Sequence, residues 1–240
     1  MRRCVALLIA LLGLSGTAAA QTPDEHRGWC AGYNDNPDRA IESCTILIDT
    51  PGIPPDSLAK AYYNRGNAQA RQGQTERAIA DYDRSIGLNP KDPLVFNNRG
   101  IAYDEKGQYD RAEADFDRAI QLNPTDALAF NNRCWDRAVL GRLDAALEDC
   151  NTSLRLRPDT AGAFDSRGLV YLKLARADNA IADYNAALRL NPKLVGSLYG
   201  RGLAYRLRKQ RAEADRDLAE AQQIDPGIAY KFATYGLATE

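Results

Sequence analysis

Few residues of this sequence have the chemistry that catalysis requires. The only histidine is His26, and we expect it to be solvated in a flexible N-terminal segment. There it cannot serve as the base of a Ser-His-Asp or Cys-His arrangement. The sequence contains neither the G-x-x-x-x-G-K-[ST] phosphate loop nor the H-E-x-x-H zinc motif. Acidic residues are abundant, but they recur at fixed intervals, as structural positions do. The sequence therefore predicts no enzyme, no catalytic residue and no cofactor.

The first twenty residues have the layout of a secretory signal peptide. Arg2 and Arg3 precede the apolar run 4–14, and the small residues SGTAAA follow with alanines spaced as in an A-x-A cleavage site. The apolar run is too short to span a bilayer, which takes about 20 residues. We predict that residues 1–20 are a signal peptide and that the mature chain begins at Gln21 in the periplasm or outside the cell. An uncleaved N-terminal anchor is the alternative.

The charge of the remaining chain does not indicate a nucleic-acid-binding protein. The 31 basic residues include two in the signal segment, which leaves 29 basic against 32 acidic residues, a formal charge of −3. Nucleic-acid binders carry a basic patch or a strongly basic balance. No second apolar run approaches membrane-spanning length, so we expect no stable membrane insertion after cleavage.

Proline recurs every 34 residues along most of the chain, at Pro90, Pro124, Pro158, Pro192 and Pro226. This period divides the sequence into five units, 59–92, 93–126, 127–160, 161–194 and 195–228. In the second unit, Phe96, Gly100 and Tyr103 share one face of a helix. Gly107 interrupts that helix, and a second apolar stripe ends before Pro124, since proline cannot continue a helix. Each unit is thus predicted to be a pair of helices.

The repeated positions resemble those of the tetratricopeptide repeat. They comprise an aromatic residue (one place later in the last unit), a glycine in the first helix (Cys134 in the third unit) and an alanine in the second helix: Tyr62, Phe96, Phe130, Phe164 and Tyr199; Gly66, Gly100, Gly168 and Gly202; Ala78, Ala112, Ala146, Ala180 and Ala214. The resemblance covers 59–228. It implies an all-α fold, a right-handed superhelical solenoid of antiparallel helix hairpins, because one hairpin cannot bury its own apolar face.

The segments outside the five units are predicted to cap the array. Residues 21–58 are predicted to form an N-terminal capping half-repeat and linker. Residues 229–240 are predicted to form a C-terminal capping helix, with Tyr230 and Tyr235 turned inward.

Every unit departs from the family pattern in the same way, with an arginine in place of the usual leucine and an aspartate sixteen residues later. The pairs are Arg65 and Asp81, Arg99 and Asp115, Arg133 and Asp149, Arg167 and Asp183, and Arg201 and Asp217. In an antiparallel hairpin the two positions lie at nearly the same level, which predicts a ladder of internal ion pairs. Such pairs fix register more than they stabilise. An anion-binding stripe of arginines is the alternative.

The cysteines of the mature chain are even in number, as in disulfide-bonded exported proteins: Cys30, Cys44, Cys134 and Cys150. Cys30 and Cys44 flank the turn NDNPD. Cys134 and Cys150 replace the glycine and the second-helix aromatic of the third unit, positions that face each other in the hairpin. We predict both disulfides, each closing a loop of about 15 residues and stabilising by about 3 kcal/mol. With no C-x-x-C and one histidine, we expect no metal.

The resemblance also implies a binding surface on the first helices of the units. The predicted groove residues come from repeat positions 5 and 9: Tyr63, Asn67, Asn97, Ile101, Asn131, Trp135, Leu169, Tyr199 and Leu203. Apolar side chains in register, edged by asparagines and tyrosines, suit an extended peptide or a partner helix. Packing of position 9 between neighbouring helices is the alternative. Only Lys60 matches the lysines with which some relatives clamp a terminal carboxylate.

Together these features predict a protein–protein interaction scaffold or assembly adaptor of the bacterial periplasm, with a protein or peptide as partner. The alternative is an envelope polymer- or glycan-binding module, which surface aromatics such as Trp135 and Tyr199 would serve.

Overall fold

A computed structural model describes residues 23–237, which form α-helices and no strand. The predicted signal peptide lies outside these residues. The helices are α1 (Pro23–Ala31), α2 (Pro37–Asp49), α3 (Pro55–Arg71), α4 (Thr75–Leu88), α5 (Pro93–Glu105), α6 (Tyr109–Leu122), α7 (Ala127–Val139), α8 (Leu143–Leu156), α9 (Ala161–Lys173), α10 (Ala177–Leu190), α11 (Val195–Leu207), α12 (Arg211–Ile224) and α13 (Ile228–Thr234). We call α3, α5, α7, α9 and α11 the A helices, and α4, α6, α8, α10 and α12 the B helices. Each A helix and the B helix after it form one hairpin.

Proline and aspartate set the ends of the helices. The B helices end at residues in extended conformation, each directly before a proline: Asn89, Asn123, Arg157, Asn191 and Asp225. Proline disfavours helical backbone in the residue before it. The next A helix then begins at an aspartate cap in two units, where Asp92 accepts from the N–H of Leu94 and Asp126 from that of Leu128.

Glycine allows close contact between the two helices of a hairpin. A Cβ on Gly100 would lie 2.6 Å from the Phe116 ring, and one on Gly168 would lie 2.8 Å from the Tyr184 ring. Both distances are shorter than a real contact, so only glycine lets the ring lie against the helix backbone. The sequence pattern of glycine and aromatic is thus a packing requirement.

In the third hairpin a disulfide replaces this contact. Cys134 stands at the glycine position and Cys150 at the aromatic position, and their sulfurs are bonded. Cys30 and Cys44 are bonded in the same way between α1 and α2. The structure therefore pairs the four cysteines as the sequence predicts.

The hairpins stack in chain order and form an all-α repeat array. The backbones of consecutive A helices come close to one another, whereas those of consecutive B helices in the described chain stay further apart. The array therefore curves with the A helices on its inner side. We call the surface that they form the inner groove.

The two terminal segments pack against the array but differ from prediction at two side chains. His26 is buried, at 8% exposed, with its ring edge-on to Trp29, because α1 packs on α2 and α3. The expectation of a solvated histidine was wrong. Tyr230 was expected to turn inward, but it is 77% exposed, and Phe232 of α13 fills the core instead. Tyr235 does pack inward, against Trp135. Within residues 23–237, no helix has the length and hydropathy to cross a membrane.

Candidate binding groove

The arginines of the units are engaged in structural ion pairs. Arg133 donates from Nε and Nη2 to the two carboxylate oxygens of Asp149, at 2.9 and 2.6 Å, and from Nη1 to Asp117 of the preceding B helix. The same bidentate pair is present in all five units. The aspartates are buried. The predicted ladder is confirmed, and the arginines are not free to bind an anionic ligand.

The ladder also joins neighbouring hairpins. Four of the arginines use Nη1 to reach an Asp or Asn on the preceding B helix, at Asp83, Asp117, Asn151 and Asn185. Bidentate arginine pairs fix geometry as well as charge. Each arginine therefore sets the spacing of two hairpins, and with it the shape of the inner groove.

The apolar side chains at repeat position 9 differ in how far they are buried. Ile101 and Trp135 are half-buried and border cavities of the inner groove, whereas Leu169 is 1% and Leu203 8% exposed. Tyr199, at position 5, is 1% exposed because the Phe232 ring packs on it. These three side chains belong to the core, so the expectation of one continuous apolar row is corrected. The surface available to a ligand lies over α3, α5 and α7 and reaches the beginning of α9, where Asp165 lines a cavity.

Asparagines connect the first three A helices along this surface. The Nδ2 of Asn98 donates to Asn67 Oδ1 at 2.8 Å and to the Tyr63 hydroxyl at 3.1 Å. One unit further, the Nδ2 of Asn132 donates to Asn97 Oδ1 at 3.2 Å. A seam of amides therefore crosses from helix to helix, and it positions amide groups beside the apolar side chains.

A first cavity of about 330 Å³ lies beside this seam. Asn67, Asn98 and Ile101 line it together with Tyr33 from the loop after α1. The Nδ2 of Asn67 is buried and has no hydrogen-bond partner within the described chain. A buried donor without a partner is costly, and the residue that carries it is one of those that line the cavity.

A second cavity, also of about 330 Å³, lies one hairpin further and is acidic. Asp104, Asp136 and Asp165 line it, with Asn131 and Trp135. Burial, and then the neighbouring Asp104 carboxylate, raise the pKa of Asp136 well above its usual range. Burial also raises the pKa of Asp104, and it raises that of Asp165 to about 6. Burial and the Asp104 carboxyl group together disfavour ionisation of Asp136, so Asp136 holds its proton to higher pH than an exposed aspartate.

Several residues of these cavities were not named as groove residues from the sequence. They are Tyr33, Asn98, Asn132, Asp104 and Asp136. Aligned units give a signal for the second asparagine of each Asn-Asn pair and for Asp136, which stands where the other units have alanine or valine. Tyr33 lies outside the repeat, so its position depends on how α1 packs.

No cluster of His, Cys, Asp or Glu among residues 23–237 has the geometry to hold a metal ion. The groove offers amides, carboxylates and apolar side chains, which are groups for binding a ligand.

The repeat architecture and its groove define a tetratricopeptide-repeat protein. Models of the tetratricopeptide repeat match residues 59–92, 93–126 and 161–194, and the chain belongs to this family. A comparison with curated protein sequences gives no significant match.

Solved structures of repeat proteins share the fold. A tetratricopeptide repeat protein from Parabacteroides merdae has a TM-score of 0.70 and 20% identity, over 84% of this chain and 79% of that one. MamA from Desulfovibrio magneticus, residues 41 to the end, has a TM-score of 0.60 and 21% identity over 70% and 96%. YrrB, described as a TPR protein with an unusual peptide-binding site, has a TM-score of 0.59 and 22% identity over 82% and 100%. At these identities the likeness is one of fold.

Proposed function

We propose that this protein is a binding scaffold that holds a polypeptide in the inner groove over α3, α5 and α7. The observation that carries the proposal is the seam of asparagines beside two cavities. A peptide backbone needs both donors and acceptors, and an asparagine amide supplies both. Asn67 Nδ2, buried and unpartnered, offers a donor that a peptide carbonyl would satisfy. The peptide-binding site described for YrrB belongs to that protein, but it agrees with this use of the fold.

The proposal includes an oxidising compartment, most simply the bacterial periplasm. Two disulfides within the described chain support it, since disulfides persist in oxidising environments. The signal-peptide pattern of residues 1–20 supports it independently.

Glycan binding is the less supported function. Carbohydrate sites use exposed aromatic faces, and here Tyr199 is buried under Phe232 while Tyr235 packs edge-on to Trp135 at 5.3 Å between ring centroids. Tyr199 is thus not available to a sugar, and the contact with Tyr235 covers part of the Trp135 indole.

A photo-crosslinking amino acid at position 101 tests the function, because the Ile101 side chain borders both cavities. The protein is expressed with its own leader in the source organism. We expect a discrete crosslinked polypeptide from position 101 and none from position 114, an exposed site on the B helix α6. The crosslink should weaken in Asn98→Ala, which breaks the amide seam, and persist in Glu148→Gln on α8.

Two outcomes would contradict the proposal. Equal crosslinking from positions 101 and 114 would show that the groove has no special role. Retention of the protein on purified cell-wall material, without any crosslinked polypeptide, would favour the polymer-binding alternative.

A further inference from the structure

Asp136 breaks the internal symmetry of the array at a buried position. The equivalent residues of the other A helices are small and apolar, and none is more than 2% exposed: Ala68, Ala102, Val170 and Ala204. Asp136 is equally buried, at 1% exposed. A buried carboxyl group costs free energy unless it is fully hydrogen-bonded. The other four units avoid this cost because they have an apolar residue at the position. The third unit carries a polar group that packing does not require.

The Asp136 carboxyl group is also incompletely satisfied. Its Oδ2 has no hydrogen-bond partner among residues 23–237, and the same holds for the Oδ1 of Asn131, five residues earlier on α7. Neither Asp136 nor Asp104 forms an ion pair with any cation of the described chain. The nearby Glu113 differs in this respect, because Arg137 and Arg142 both pair with it.

The residues that carry these two acceptors line an open space. The second cavity, of about 330 Å³, is lined by Asp136, Asn131, Asp104 and Asp165, with the Trp135 indole at its side. Gly162 contributes to the opening. It occupies a repeat position that holds Lys60, Leu94 and Leu128 in the first three units, and a Cβ there would meet only the Asn131 amide, at 3.9 Å.

We propose that this cavity is a subsite for a basic side chain, lysine or arginine, of the bound polypeptide. The inference rests on the proposed function and names one feature of its partner. Ammonium and guanidinium groups carry donors only, and the unsatisfied groups of the cavity are acceptors. Carboxylates would repel an acidic side chain, and a metal ion lacks a suitable ligand cluster in the part of the chain that the structure describes. The indole of Trp135 would pack against the aliphatic stem or the cation.

The carboxyl groups that line the subsite, those of Asp104, Asp136 and Asp165, favour a cation. The other titratable groups that act on them electrostatically are Glu105 of α5, Tyr109 and Glu113 of α6, and Tyr235 beyond α13. The nearest cations are otherwise engaged: Arg137 pairs with Glu113 and Asp149, and the Lys173 amine donates to the carbonyls at the end of α7. A bound cation would stabilise the ionised form of Asp136 and should therefore release the proton that burial holds on this group.

Small cations test the subsite without the natural partner. Titration of ¹⁵N-labelled protein with n-butylguanidinium or n-butylammonium should shift the Trp135 indole and the Asn131 side-chain amide signals. Butan-1-ol has the same apolar chain without the charge and should leave them unshifted. We expect Asp136→Ala to weaken n-butylguanidinium binding at least about tenfold, which corresponds to about 1.4 kcal/mol. Alanine is the residue of the equivalent position in other units, so this variant should fold. Glu148→Gln removes an exposed charge on α8 and should bind like the wild type.

Proton release gives a second readout. Calorimetry at neutral pH, in buffers of different ionisation enthalpy, should show that n-butylguanidinium binding releases protons from the wild type but not from Asp136→Ala. Equal shifts with butan-1-ol, or unchanged cation binding in Asp136→Ala, would overturn the subsite. Those results would not change the crosslinking expected from position 101, which tests the scaffold function separately. Conversely, cation binding without any crosslinked polypeptide would refute the scaffold function and keep the subsite.

Discussion

Arg133 holds both carboxylate oxygens of Asp149 and at the same time reaches Asp117 of the neighbouring hairpin. Asp149 also accepts from Arg137 Nη1 at 2.7 Å, so it keeps one cationic partner when Arg133 is removed. In the next unit Asp183 pairs with Arg167 alone among the described residues. The ladder arginine therefore contributes a different amount to the free energy of unfolding in different units.

Removal of the ladder arginine should be costlier in the fourth unit than in the third. We expect Arg167→Ala to destabilise by about 3–5 kcal/mol, because it leaves the Asp183 carboxylate buried and unpaired. Arg133→Ala should cost less, since Arg137 remains. Replacing Arg167 and Asp183 together by apolar residues should recover most of the loss. Urea unfolding of the variants measures the difference, and equal losses for both arginine variants would contradict this account.

The third hairpin should not need its disulfide if the pattern of its neighbours is restored. Replacing Cys134 and Cys150 by serine should cost about 3 kcal/mol, whereas Cys134→Gly with Cys150→Phe recreates the Gly100–Phe116 contact and should recover much of that stability. Thermal melts compare the two double variants. Non-reducing peptide mapping of exported wild-type protein should find Cys30–Cys44 and Cys134–Cys150. Free thiols at all four positions would refute the role of the disulfides.

Asp136 should make the protein less stable as the pH rises. Burial raises the pKa of this group from 3.8 in the unfolded chain to about 9 in the folded protein. Below 3.8 both states are protonated, so the group has no effect. Above it the unfolded state ionises first, and stability falls until the pH reaches about 9. Asp165, with its pKa raised to about 6, acts in the same direction over a narrower window.

Asp136→Ala should remove most of this dependence. We expect it to stabilise the protein by about 1–3 kcal/mol at neutral pH, the usual cost of an unsatisfied buried polar group. Thermal melts at about pH 5, 7 and 9 should show a growing advantage of the variant over wild type. An advantage that shrinks with rising pH would mean that Asp136 is ionised and satisfied in the folded state.

Two turns hold non-glycine residues in a left-handed backbone conformation that favours glycine. In the first three hairpins the turn residue with positive φ is a glycine, but in the last two it is Ala175, at 55°, and Lys209, at 60°. A left-handed conformation costs about 1–2 kcal/mol for such residues, and the greater freedom of glycine in the unfolded chain offsets part of the gain. We expect Ala175→Gly and Lys209→Gly to stabilise by about 0.5–1 kcal/mol each. The reverse change, Gly141→Ala, should destabilise. Calorimetric Tm values that move the other way would exclude backbone strain at these turns.

Trp135 is expected to contribute both to binding and to stability. Trp135→Ala should weaken partner binding about thirtyfold, the effect of about 2 kcal/mol lost at a central aromatic contact. It should also lower Tm, because the indole supports Tyr235. Tyr235→Ala removes the same ring contact but keeps the indole, so its binding should fall less. Loss of stability in Trp135→Ala with unchanged affinity per folded molecule would place the binding surface elsewhere.

The sequence by itself determined the repeat, the hairpins and the contacts within each hairpin. A period of 34 residues fixes each unit as a local structure, and the pairs Arg133–Asp149 and Cys134–Cys150 lie within one hairpin. Their meeting depends only on the antiparallel geometry of two connected helices. Such short-range relationships repeat from unit to unit, which is why they could be predicted from spacing.

Only the tertiary structure decided which groove positions are exposed. Leu169 and Leu203 occupy the same repeat position as Ile101, yet they are buried because neighbouring helices and α13 pack around the later units. Asp104, Asp136 and Asp165 lie on three different hairpins, and they converge because stacking brings successive A helices together along the inner groove. Burial and convergence depend on neighbours that are distant in sequence, and the pattern within one unit does not specify them.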